Sequence, residues 1–195
     1  MKRLFSMILC LALVGAASVG ASTVLADHGG SGGSDDSATT AACLATTPVT
    51  PPVTGQSGDD VGDVGDDSLA GTTGDDNMDG KAGDDDLKGE SGDDDMCGDD
   101  GNDHLQGGAG DDSLHGGLGD DVLQGQAGND IERGDAGDDT ISGGSGRDVL
   151  SGGAGNDRIK ARDGHRDRIN CGTGNDTVTA DRSDSVAANC EHVSR

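Results

Sequence analysis

A large apolar residue returns once every nine positions through most of this chain. Leu69, Met78, Leu87, Met96, Leu105, Leu114, Leu123, Ile141, Leu150 and Ile159 keep that phase. The one break is Glu132, where the apolar residue has moved one place back to Ile131. Each lies between smaller or polar neighbours, which predicts a short strand with the apolar residue on one face and its neighbours on the other. Units begin at Gly62, Gly71, Gly80, Gly89, Gly98, Gly107, Gly116, Gly125, Gly134, Gly143 and Gly152. Numbered from these glycines, the strand covers positions 7–9 and the apolar residue is position 8. Position 4 is also Gly throughout, so positions 1–6 read as a tight turn through backbone angles closed to other residues. One apolar residue per nine cannot hold a sheet alone. Stacked units can, by lining up their position-8 residues as a thin continuous ladder.

Position 6 is Asp in all eleven units: Asp67, Asp76, Asp85, Asp94, Asp103, Asp112, Asp121, Asp130, Asp139, Asp148 and Asp157. The pattern is best kept in Gly107-Gly108-Ala109-Gly110-Asp111-Asp112-Ser113-Leu114-His115 and in residues 152–160. It resembles the RTX, or haemolysin-type, calcium-binding nonapeptide G-G-x-G-x-D-x-U-x, in which U is a large apolar residue. The chain departs from that motif at position 2, which is Gly in only four units. The resemblance covers about half of the chain. It implies an all-β fold, a right-handed parallel β-roll with two units per coil and odd and even units on opposite edges.

The array decays towards the C-terminus. Cys171 opens a further unit containing Asp176, and Ala161–Asn170 is ten residues long with Asp167 and Ile169 in the expected roles. Residues 181–186 are another remnant. Residues 161–195 therefore read as degenerate repeats and a β-type cap, the atypical end that a repeat array needs. Residues 27–61 read as a Gly/Ser- and Thr/Pro-rich linker. Residues 1–26 read as a secretory signal peptide: Lys2 and Arg3, an apolar run from Leu4, then Val24-Leu25-Ala26 as a cleavage site, with Ala21 an alternative. That run is too short for a comfortable membrane span. The domain plan is thus 1–26 signal, 27–61 linker, 62–160 β-roll and 161–195 cap, in a protein expected to be secreted.

Composition changes the picture in one respect. Asp and Glu total 38 against 13 Lys and Arg, for a net charge of −25, and the chain has one Phe and no Trp or Tyr. Such a chain has little conventional core. It should avoid nucleic acid and anionic membranes and attract cations. Stacked coils set equivalent carboxylates about 4.8 Å apart, a repulsion of roughly 3 kcal/mol per pair at an effective dielectric of 20. Ca²⁺, which takes six to eight oxygens in flexible geometry, suits the gap better than Mg²⁺. Zn²⁺ would want His or Cys clusters. The expected ligands are the position-6 carboxylates and Asp176, with multiple calcium ions bound and binding coupled to folding.

Four cysteines follow the signal. Cys171 and Cys190 stand nineteen residues apart, close to one coil of two units, and are expected to form a disulfide. Cys97 either pairs with Cys43 or remains a thiol. Asp75–Gly80 with Asp86 mimics an EF-hand loop as a by-product of Asp/Gly density. Gly29–Gly33 mimics a nucleophile elbow within the linker, and there is no H-E-x-x-H. His104 and His115 should face opposite sides of the roll. The chain is read as a calcium-binding protein and not an enzyme, with no assigned protein partner. The alternatives are an adhesive or matrix module rigidified by calcium, and a non-catalytic partner of a secreted enzyme.

Overall fold

The computed structural model describes residues 53–54 and 59–195; the predicted signal peptide, most of the linker and Cys43 lie outside the described residues. Seventeen strands follow one another: β1 (Val53–Thr54), β2 (Asp59–Val61), β3 (Ser68–Ala70), β4 (Asn77–Asp79), β5 (Asp86–Ser91), β6 (Asp95–Asp100), β7 (His104–Ala109), β8 (Ser113–Leu118), β9 (Val122–Ala127), β10 (Ile131–Ala136), β11 (Thr140–Ser145), β12 (Val149–Ala154), β13 (Arg158–Lys160), β14 (Arg168–Thr173), β15 (Thr177–Thr179), β16 (Ser185–Val186) and β17 (His192–Ser194). The odd strands form one nine-stranded sheet and the even strands an eight-stranded one. The pairings of β7 with β9 and of β8 with β10 are typical: each strand lies parallel to the next but one. Two units therefore complete one coil, and the chain is an all-β parallel solenoid of about seven turns. No helix is present among the described residues.

The register is eighteen residues per coil. Leu87 pairs with Leu105, Leu105 with Leu123 and Leu123 with Ile141 in the odd sheet. Met78 pairs with Met96, and Met96 with Leu114, in the even sheet. With Leu69, Leu150, Ile159, Ile169 and Val178 in the same ladders, these buried residues make up most of the core among the described residues. A slip by one residue would turn every one of them outward, which is why the period of nine specifies the register so strongly. Near the end the step becomes nineteen residues, with Leu150 beside Ile169 and Ile159 beside Val178. The ten-residue unit is absorbed there without breaking either ladder. Asp167 and Ile169 are buried as the repeat phase predicts.

Three features differ from the sequence expectation. First, the central strands are six residues long and run from position 7 through position 3 of the next unit, so the turn is only positions 4–6. Backbone pairing continues past position 9: the position-1 N–H of Gly80 donates to Cys97 O at 2.8 Å, and the position-4 N–H of Gly92 donates to Ala109 O at 2.9 Å. Second, Glu132 does not yield its place to Ile131. Glu132 is fully buried in the core ladder, and Ile131 is 41% exposed. Its strand is held in register on both sides, Glu132 lying between Leu114 and Leu150. Turning Ile131 inward would cost that whole register. Third, the sheets begin ahead of Gly62, because β1 and β2 fall within the stretch read as linker.

The EF-hand mimic lies across β4 and β5, flanked by strands. His104 is on β7 and His115 on β8, in opposite sheets.

Candidate metal centre

Each central turn enters its strand through the position-6 aspartate, whose side chain points into the roll. Asp85 to Asp157 are at most 2% exposed. Position 6, position 8 and the following position 1 alternate along the strand, so all three face inward. The aspartates stack in two rows, one per sheet. In the even-sheet row, Asp94 N–H donates to Asp112 Oδ1 and Asp112 N–H to Asp130 Oδ1, each at 2.9 Å. In the odd-sheet row, Asp103 N–H donates to Asp121 Oδ1 at 2.8 Å and Asp121 N–H to Asp139 Oδ1 at 2.9 Å. One oxygen of each carboxylate is thereby tied to the neighbouring coil.

The other oxygen is not. Oδ2 of Asp85, Asp94, Asp103, Asp112, Asp121, Asp130, Asp139, Asp148, Asp157, Asp167 and Asp176 is buried with no hydrogen-bond partner. Buried acceptors are rarely left so. The first two units show what changes. There the position-2 N–H donates to Oδ2, from Asp63 to Asp67 and from Thr72 to Asp76, both at 2.6 Å. From Lys81 onward position 2 is left-handed, with φ of 82° at Lys81, 74° at Glu90, 72° at Asp99, 77° at Gln126 and 75° at Asp135. Position 2 then makes no hydrogen bond to Oδ2. Position 4 changes with it, since Gly65 and Gly74 lack the positive φ of Gly83 and its successors, so the backbone of the whole turn sets whether the second oxygen has a partner.

Glycine at position 1 serves this space and not the backbone angle, because none of the position-1 glycines has positive φ. A Cβ at Gly125 would lie 2.3 Å from Asp130 Oδ2 and 2.6 Å from the carbonyl oxygen of Gly143. At Gly98 the corresponding distances are 2.2 Å to Asp103 Oδ2 and 2.6 Å to Gly116 O. The missing methyl leaves a cradle lined by oxygen. Glycine at position 4 is required for the reason the sequence suggests, with φ of 151° at Gly101 and 149° at Gly110.

Burial pushes Asp94, Asp121, Asp130 and Asp139 up to about 7 and Asp103 and Asp167 up to about 6; the N–H bond from the neighbouring coil opposes the shift and the stacked carboxylates add to it. A divalent cation would offset both causes, by stabilising the charged carboxylates where they are buried. Among the described residues, no three acidic, His or Cys side chains already meet as a metal cluster. A cation held here would take one or two carboxylates from stacked turns and draw its remaining ligands from backbone carbonyls. That donor set is all oxygen, and it fits Ca²⁺ in chemistry and flexibility.

The rows run beyond the regular units. Asp148 N–H donates to Asp167 Oδ1 at 2.9 Å and Asp167 N–H to Asp184 Oδ1 at 3.2 Å. On the other edge Asp157 N–H donates to Asp176 Oδ1 at 2.9 Å, and Glu191 Oε2 accepts from Asp176 N–H at 3.0 Å. Asp184 lies in the 181–186 remnant read from the sequence, whereas Glu191 is not recognisable as a row member from the repeat alone, because the spacing there contracts. Asp67 and Asp76 stand apart from the other predicted ligands, since their Oδ2 atoms are already engaged. Cys171 and Cys190 are brought together at this end, with Cα atoms 5.2 Å apart and the sulphurs joined. Cys97 lies on β6.

A second ladder runs outside. Position 5 is Asp or Asn in every regular unit but one, and its Oδ1 accepts the position-5 N–H of the next coil, as in Asp111 to Asp93 at 3.0 Å and Asp138 to Asp120 at 2.8 Å. This role is not among those read from the sequence; the signal for it is the preference for Asp or Asn at position 5, and the contact itself appears only when coils are stacked.

The chain matches the profile of the RTX calcium-binding nonapeptide repeat (4 copies) over residues 61–96, 98–132 and 133–166. Comparison with curated proteins gives no match. The matched segments cover more than half of the sequence and span the coils in which the position-6 carboxylates stack in rows. The chain therefore belongs to the RTX calcium-binding nonapeptide repeat family.

Proposed function

We propose that this chain is an exported protein whose roll binds several Ca²⁺ ions between stacked turns and folds as it binds them. Eleven buried carboxylate oxygens without a partner carry this reading. Leaving them unpaired and charged opposes folding, so ligand binding and folding share one free energy. Residues 1–26 act as the signal for export, 27–61 as a linker partly drawn into the first coil, 62–160 as the calcium-binding roll and 161–195 as its cap. The ligands are Asp85 through Asp157 at position 6, with Asp167 and Asp176 beyond them. Asp67 and Asp76 contribute more weakly, because backbone N–H groups already hold their second oxygens. The function is binding and not catalysis.

In the exported protein the disulfide Cys171–Cys190 closes the roll where the repeats degenerate, covalent bonding taking over from metal. Recovery of the two cysteines as separate alkylated peptides without reduction would refute this. The central test is circular dichroism of the mature chain during a calcium titration. Coil-like spectra in EGTA and a β signal with compaction in millimolar Ca²⁺ are expected. Equal β content in both conditions would overturn the proposal.

A further inference from the structure

The position-5 ladder differs between the two edges of the roll. Ahead of the even strands its exposed side chains run Asp75, Asp93, Asp111, Asn129, Arg147 and Arg166. One half of this column is acidic, the other basic, and Asn129 separates them. Ahead of the odd strands the column holds Asp66, Asp84, Asp120 and Asp138 with Asn at the other places, and no basic residue. The C-terminal coils as a whole share the basic bias, on both sheets, with Arg158 and Lys160 on the odd one. Eight of the chain's Lys and Arg residues follow position 140, while most acids of that segment are the buried row members such as Asp148, Asp157 and Asp167.

Among the described residues no arginine makes an ion pair, in a protein whose net charge is −25. The fold explains this. A solenoid cannot bend back on itself, and Asp111 lies two coils, about 10 Å, from Arg147 along the column. The basic end is thus held away from the acidic end of its own chain. The acidic side chains are also pre-set. Asp75 Oδ1 and Asp93 Oδ1 are tied by N–H groups of the next coil at 3.1 and 3.0 Å, which anchors the carboxylates on the surface. Beside the basic half, a cleft is lined by Arg147, Arg166, Arg168 and Val149. Val149 pairs with Ile131 on the outer face of β12 and β10, and the two are 40% and 41% exposed.

We propose that this edge is a self-association surface and that its partner is a second copy of this chain, laid antiparallel. Reversing the column sets Arg166 against Asp75, Arg147 against Asp93 and Asn129 against Asp111. The two-fold axis repeats each pair, and the interface closes on itself as a dimer and does not propagate. Arginine suits the task because its planar fork takes a carboxylate through two parallel bonds. The odd-strand edge cannot pair this way, since two acidic columns repel. Ile131 and Val149 supply apolar surface next to the charges. Exposed ion pairs are individually weak and screened by salt, so the dimer is salt-sensitive.

Sedimentation velocity of the mature chain in millimolar calcium tests this, at about 100 μM protein. At low salt a dimer is expected, and 0.5 M NaCl should weaken it by about tenfold or more. The double variant Arg147→Asp/Arg166→Asp should be monomeric, as should Asp75→Arg/Asp93→Arg. An equimolar mixture of the two should recover a dimer, because the charges are complementary again. The milder Arg147→Gln/Arg166→Gln guards against misfolding, and calcium-dependent circular dichroism shows independently that each variant still folds. A wild type that stays monomeric at low salt, or a mixture that recovers nothing, overturns the proposal. Binding of a soluble anionic polysaccharide by a wild type that never dimerises, lost in the arginine variants, would assign the surface to that partner instead.

Discussion

Replacing Glu132 by Leu should stabilise this protein. Glu132 occupies a position-8 slot between Leu114 and Leu150, is fully buried, and neither carboxyl oxygen makes a well-formed hydrogen bond, the Gly125 N–H only approaching it. Burial first, and then the charges of Asp130 and Asp148, hold its carboxyl well above the usual 4.5. A buried polar group without a partner costs about 1–3 kcal/mol even when neutral. Leu has similar length, restores two methyl groups to the ladder and gains about 1 kcal/mol from them. The sum is about 3 kcal/mol, or roughly a hundredfold in the folding constant. Urea unfolding at saturating calcium measures it, and a calcium titration should show folding at lower ion concentration. Glu132→Gln separates the contributions, because it removes the titration but keeps an unsatisfied polar group, so it should gain less than Leu. The wild-type deficit relative to Leu should grow with pH above about 4.5, because a carboxyl with a raised folded pKa stabilises only while protonated. A Leu variant no more stable than wild type at pH 7 would refute the reasoning and show that this carboxylate has a partner in the folded protein.

Other outcomes follow from the carboxylate rows and the turns. Asp112→Ala should remove or weaken about two calcium sites by calorimetry, those shared with Asp94 and Asp130, and Asp121→Ala should do the same with Asp103 and Asp139; unchanged stoichiometry in both would exclude sharing between coils. In EGTA the chain should show more β signal near pH 4.5 than at pH 7.5. The folded pKa of about 7 at Asp94, Asp121, Asp130 and Asp139 exceeds the unfolded value of 3.8, so their contribution is complete below 3.8 and lost as pH rises through 7; a spectrum independent of pH would contradict this. Glu90→Gly should stabilise the calcium-bound roll by about 1 kcal/mol in urea unfolding, because Glu90 sits at φ 74° where a side chain is strained; a loss of stability would show that its side chain has a role of its own.

Much of this protein is set by its sequence. A period of nine with one apolar residue per unit points to a stack, and the family resemblance, not the phase, implied the two units per coil that make Leu87 and Leu105 neighbours. The inward aspartates are legible for the same reason, since positions 6 and 8 share a strand face. Tertiary structure decided what the repeat phase cannot express. Glu132 faces inward although polar, because the pairing of its strand on both sides outweighs one residue's preference. The position-1 glycines are needed for the space beside an aspartate that approaches only after folding, whereas their fixed place in the repeat suggested a backbone angle. The backbone of the turn, at positions 2 and 4 together, governs which carboxylates stay open. The division of charge along one edge exists only because coils of eighteen residues bring Asp75, Asp93, Arg147 and Arg166 into one column. In the linear sequence these residues are scattered among many acids, and stacking alone turns the scatter into two opposed ends.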